Sequence, residues 1–183
     1  MQNTKKDILP WLFCAIFAAL TAVCSQIQIP LPMVPINLAL FAVHLAAANL
    51  GAKYGGLSML VYVLLGLTGA PVFTGFSGGA GVLFGKTGGY ILGYILSALV
   101  TGFLCRKWGR KFGWMCGAMT IGVAACYAFG TAWFMMITGT PLLASLFYCV
   151  LPFLPGDAVK ILLASFLARR LYPICLRNQW IPA

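Results

Sequence analysis

Acidic side chains are almost missing from this chain: across 183 residues the carboxylates are those of Asp7 and Asp157, against twelve Lys and Arg. Charged residues of either sign make up 8%, where a soluble domain carries about a quarter to wet its outer face. A chain this poor in charge cannot cover itself for water, so its outer solvent is lipid. An enzyme active site normally gathers several acids, a metal constellation or a nucleophile beside a base. One carboxylate beyond residue 7 and the single histidine, His44, supply none of these. His44 lies in an apolar run and reads as a hydrogen-bonded packing residue, because a proton relay needs partners. The seven cysteines include no CxxC pair, which argues against a disulfide framework or a zinc site; inside apolar runs they act as small hydrophobes. No internal repeat of interrupted helices marks a self-sufficient carrier. Gly81-x3-Gly85-Lys86-Thr87 has the wrong spacing for a nucleotide-binding loop. No cofactor is expected.

What is present is apolar. Hydrophobic residues make up 62% of the chain, and the mean hydropathy is +0.97. Runs suited to membrane helices cover 8–28, 36–51, 54–70, 87–105, 113–137 and 155–172; roughly 20 residues span a bilayer, and shorter spans are tolerated beside a water-accessible pocket. The expectation is an all-α integral membrane protein: a six-helix bundle forming one domain over 1–183, with an extra half-helix within 141–152. Lys5 and Lys6 before the first run read as the flank of a retained first helix rather than of a cleaved signal.

The net charge of +10 would suggest nucleic acid in a soluble protein, but here the basic residues sit in the breaks between apolar runs. Lys5, Lys6, Lys53, Arg106, Lys107, Arg110, Lys111, Arg169, Arg170 and Arg177 alternate with breaks nearly free of Lys and Arg. This is the positive-inside pattern, with both termini cytoplasmic in a multi-pass protein of the cell membrane. No nucleic-acid partner is expected. Lys86 and Lys160 are left over, and with Asp157 they fall on the outer half, where an ionisable group is costly and usually functional.

Three segments on that side are unusual. Residues 29–35 read IPLPMVP; prolines fix φ and remove donors, so a stiff, extended strap is expected. Residues 66–93 are rich in glycine, with Phe73, Phe76 and Phe84 interleaved, as expected of an ordered loop that packs apolar surface over a small ligand. Residues 152–160 read PFLPGDAVK, a helix start in which Asp157 complements the dipole and shares a face with Lys160. These residues alone fit a local ion pair as well as a ligand site. If Lys86, Lys160 and Asp157 converge, an empty pocket carries a net charge of +1 that a monocarboxylate neutralises. The matching ligand is small, apolar in the middle, a hydrogen-bond donor at one end and an anion at the other. Small residues recur at four-residue spacing in Ala15/Ala19, Ala18/Ala22, Gly85/Gly89/Gly93 and Gly109/Gly113/Gly117. The glycine series read as packing within the bundle, while the alanine face fits either packing or a partner subunit.

The strap IPLPMVP, the loop GAPVFTGFSGG, the segment GKTGGYILG and the helix start PFLPGDAVK, in that order, resemble the BioY family over nearly the whole chain. These are biotin-capture subunits of energy-coupling factor transporters. The resemblance implies six membrane helices, a biotin pocket on the outer side, and partnership with a transmembrane coupling subunit and two cytoplasmic ATPase subunits. It also implies that Asp157 accepts from the ureido group, Lys160 supports that network, Lys86 pairs with the carboxylate, and Tyr90 bonds or stacks. Asn37 and Phe73 belong to the same implied pocket, and Ala15 and Ala19 match the face shown to the coupling protein. Family members often read Val-Pro-x-Thr-x-Gln where this chain has Val34-Pro35-Ile36-Asn37-Leu38-Ala39; the polar side chain missing at Ala39 is replaced by Asn37, a donor and acceptor. Proline is common in the family at the position of Lys86. Another small vitamin on the same scaffold is the nearest alternative.

Overall fold

The computed structural model describes residues 2–31 and 34–177, with side chains from Ile8 onward. The side chains of Lys5, Lys6 and Asp7, and residues Pro32 and Met33 of the strap, lie outside the described residues. The order is α1 (Gln2–Gln26), β1 (Gln28–Ile29), β2 (Ile36–Asn37), α2 (Ala39–Leu67), α3 (Ala80–Leu83), α4 (Gly88–Trp108), α5 (Phe112–Thr138), α6 (Leu142–Cys149) and α7 (Leu154–Arg177).

Helices α1, α4 and α5 each contain a stretch long and apolar enough to cross a membrane, and α2 matches them only when its two halves are taken together. A fifth crossing follows if α6 and α7, bent by 53° at their junction, are one span. Within α2, Gly51 has φ 76° and ψ −177°, a backbone shape essentially reserved for glycine. The helix folds back there. A Cβ added to Gly55 would lie 2.9 Å from the Cα of Ala47, whereas eight residues of straight helix span about 12 Å. The expected break between runs 36–51 and 54–70 is therefore a sharp turn at Gly51, and the halves of α2 pack side by side. The expected half-helix within 141–152 is α6.

Polarity is inverted relative to a soluble protein. Leu143, Met136, Phe166 and Leu163 are exposed, while Asp157, Lys160, His44, Asn49 and Thr101 are buried. Apolar side chains coat the outside because lipid meets them there. Small residues let the helices approach: a Cβ on Gly89 would overlap the Trp133 side chain, and one on Gly93 would press on Cys126. Gly89 and Gly93 thus pack within the bundle as expected, while a Cβ on Gly85, ahead of α4, would face only the carbonyls of Gly81 and Val82. The series Gly109/Gly113/Gly117 does not pack within the bundle. Added Cβ atoms at Gly109 and Gly113 meet nothing within 4 Å, and Gly117 meets only Trp108 at ordinary contact distance. Gly109 instead ends α4 with φ 89°. His44 is fully buried, with Nδ1 3.4 Å from the Thr101 hydroxyl, as a packing residue would be.

Candidate ligand-binding site

The residues flanking the strap pair antiparallel as β1 and β2, Gln28 with Asn37 and Ile29 with Ile36. Next to it, the end of α1 holds the glycine-rich loop. Ser25 Oγ donates to the Val72 carbonyl at 2.7 Å, Gln26 Nε2 donates to the Phe73 carbonyl at 3.1 Å, and Gln26 Oε1 accepts from the Phe76 amide at 2.8 Å. The loop closes on itself through Phe73 and Ser77, whose amides and carbonyls exchange bonds of 2.9 and 3.3 Å.

Beneath strap and loop lies a cavity of about 260 Å³. Val34 and Pro35 of the strap, Phe73, Thr74 and Ser77 of the loop, and Thr87, Tyr90 and Tyr94 at the start of α4 line it. Cys126 and Tyr127 of α5, Phe153 before α7 and Lys160 of α7 complete its wall. Phe73 is wholly buried and packs edge-on against Tyr62, with centroids 5.5 Å apart. That position needs Gly66, because any Cβ there would fall 2.0 Å from the ring. Phe76 and Phe84 are 73% and 63% exposed, so only one of the three interleaved phenylalanines turns inward. Gly75, with φ 72°, sets up that turn of the chain.

Polar groups gather at two places in this wall. Asn37 Nδ2 donates to the Thr74 hydroxyl at 2.7 Å, its Oδ1 accepts from the Ala39 amide at 3.1 Å, and Tyr94 Oη lies 3.4 Å from Oδ1. Asn37 thus fixes the start of α2 and faces the cavity at once. At the second place, Asp157 is 3% exposed and Lys160 6%. Lys160 Nζ donates to Asp157 Oδ1 at 2.7 Å, and Tyr127 Oη donates to Oδ2. Lys160 and Tyr127 line the cavity, and Asp157 stands directly behind them. A carboxylate has about four acceptor sites, so two remain for other donors. Tyr90 Oη is 3.0 Å from the Thr131 hydroxyl.

Of the residues expected in a pocket, Asn37, Phe73, Tyr90 and Lys160 line the cavity, and Asp157 is joined to it through its two donors. Lys86 is exposed and does not line it; its neighbour Thr87 does. The buried charges are therefore a neutral pair, not the net +1 of a three-group convergence. Sequence reasoning had no signal for Tyr127, Tyr94 or Cys126, each a single residue in a continuous apolar run. The alanine series separates cleanly: Ala18 is buried, while Ala15 and Ala19 are exposed on α1.

A fold of lipid-coated helices around a vitamin-sized cavity can be set beside known proteins. The model of the BioY family matches residues 1–177. The chain belongs to the BioY family. It is 41% identical over 156 residues to the "Biotin transporter BioY" of Thermotoga maritima, covering 85% of this chain and 91% of that one. Identity to the "Probable biotin transporter BioY" of Pyrococcus horikoshii is 39% over 158 residues, covering 86% and 92%. Among solved structures, the "S-component for biotin from an ECF-type ABC transporter" superposes with a TM-score of 0.85 at 29% identity over 93% of both chains. All four motifs border the cavity, and the fourth, PFLPGDAVK, also supplies its buried ion pair.

Proposed function

We propose that this protein is the biotin-binding S component of an ECF-type transporter, a transport subunit without catalysis of its own. The observation that carries this reading is the cavity between strap and glycine-rich loop, with Tyr127 and Lys160 presenting a buried carboxylate. Biotin suits it chemically. Its two ureido N–H groups are donors for the free acceptor sites of Asp157, and its ureido oxygen can accept from Lys160, whose ammonium has three donors. The thioether ring and tail meet Phe73, Phe153 and Ile91. The valerate runs toward the mouth, where Lys86, beside the cavity-lining Thr87, supplies the countercharge that the buried pair does not.

The chain works as one unit of six membrane helices in the cytoplasmic membrane, with both termini inside. The turn at Gly51, counted as a loop between two crossings, and the α6–α7 pair, counted as one crossing, support that number. Energy comes from a transmembrane coupling subunit and two cytoplasmic ATPase subunits. The exposed Ala15/Ala19 face of α1, where small side chains permit close helix approach, is the docking surface for the coupling subunit. Uptake of labelled biotin by cells producing the complete transporter tests the assignment: excess biotin suppresses it, while riboflavin, thiamine and lipoate leave it intact. Suppression by one of those three at equal concentration would give the site to another vitamin.

A further inference from the structure

We propose that the opposite, basic end of the bundle carries a second site, which takes the phosphate group of an anionic phospholipid. A cavity of about 610 Å³ opens there, lined by the Gly51–Ala52 turn, Lys53, Arg106, Arg110 and Tyr172. It lies at the far end of the first half of α2 from the biotin cavity. Its geometry follows from Gly102, where a Cβ would sit 2.3 Å from the Ala52 nitrogen, so α4 touches the turn directly. Arg106, one helical turn beyond Gly102, projects on that same face.

Arg110 is held in place rather than neutralised. Its guanidinium donates to the Ala48 carbonyl and, at 3.5 Å, to that of Asn49, capping the helix end before Gly51. It also stacks over Tyr172 at 3.3 Å from the ring centroid. Burial pulls its pKa below the usual arginine value, only partly offset by Tyr172 and Cys105, as expected of a cation short of a counter-ion. Among the described side chains the one carboxylate is that of Asp157, which is committed to Lys160. Among the described residues, three cations thus line a cavity with no acid in its wall. The same cavity is bordered by Phe103, which is exposed on the lipid-facing surface. Cations beside an apolar, lipid-facing wall match a phosphodiester headgroup with its acyl chains alongside, as basic pockets between membrane helices do generally. The inference uses the membrane placement alone and does not rest on biotin.

Native mass spectrometry of the purified full chain, with phosphatidylglycerol and phosphatidylcholine added at equal concentration, tests it. The expected result is at least fivefold more phosphatidylglycerol retained by the wild type, falling to the phosphatidylcholine level in Lys53→Gln/Arg106→Gln, with biotin binding unchanged. Arg106→Gln alone, expected to lose about half of the preference, serves if the double variant does not fold. A preference for soluble glycerol 3-phosphate with none among lipids would keep the phosphate site but give it to free phosphates. Equal retention of both lipids with no glycerol phosphate binding, or a preference that both variants keep, overturns the site. Loss of biotin binding in the wild type would count against the proposed function and leave this site untouched.

Discussion

The buried ion pair of Asp157 and Lys160 is an expensive device, and its cost is an argument for use. Two charges taken out of water seldom repay their desolvation by mutual attraction alone. Here the carboxylate gains a second partner, Tyr127, whose hydroxyl keeps Oδ2 oriented while the ring lines the cavity. Tyr127→Phe keeps the ring and removes that donor, and a hydrogen bond to a charged group is worth ~1.5–3 kcal/mol. The expected outcome is a biotin Kd raised about tenfold or more together with a lowered thermal midpoint, measured by equilibrium binding and thermal unfolding of the purified protein. An unchanged Kd would mean that the Asp157 orientation does not matter to the ligand. Lys86 is tested differently, because the proposed pose brings it only to the far end of the ligand. Lys86→Ala is expected to weaken biotin more than biotin amide; an equal loss for both removes the carboxylate pairing.

Single elements carry the next level of organisation, and here the legibility of the sequence varies for physical reasons. Apolar runs marked the helices well, since lipid demands continuous hydrophobic stretches. The prolines of the strap argue against a helix there, but give no sign of the Gln28–Asn37 and Ile29–Ile36 pairing that flanks them. Which way a side chain faces was far less readable. Phe73, Phe76 and Phe84 look alike in a glycine-rich loop, and only the space vacated at Gly66 decides which one enters the cavity. Lys86 and Thr87 are adjacent, so the start of α4 turns one out and the other in. Tyr127 stayed hidden because a lone tyrosine in an apolar helix has no local pattern.

Two predictions belong to this scale. Gly66→Ala drives a methyl into the Phe73 ring, so biotin affinity falls at least tenfold; Gly69→Ala just past the end of α2, whose Cβ meets nothing within 4 Å, reports the effect of backbone strain alone. Equal affinity in Gly66→Ala and wild type would show that Phe73 has room to move. Ala15→Trp or Ala19→Trp, on the exposed face of α1, is expected to abolish uptake by the complete transporter while biotin binding to the isolated chain persists. Binding lost in step with uptake would mean that this face is internal packing.

At the scale of the whole molecule, the protein is a lipid-coated shell with its polar groups inside, and its two ends differ. One end carries the strap, the loop and the proposed biotin cavity; the other carries basic loops and the Arg110-capped turn. In the proposed function, capture is this chain's task and energy belongs to its partners. The most direct test of that account is isothermal titration of the purified chain with biotin, run in parallel on Asp157→Asn. The wild type is expected to bind one biotin saturably, and the folded variant to bind at least tenfold more weakly, a loss of about 1.4 kcal/mol or more. No saturable binding by the wild type, or equal affinity in the two proteins, would contradict it.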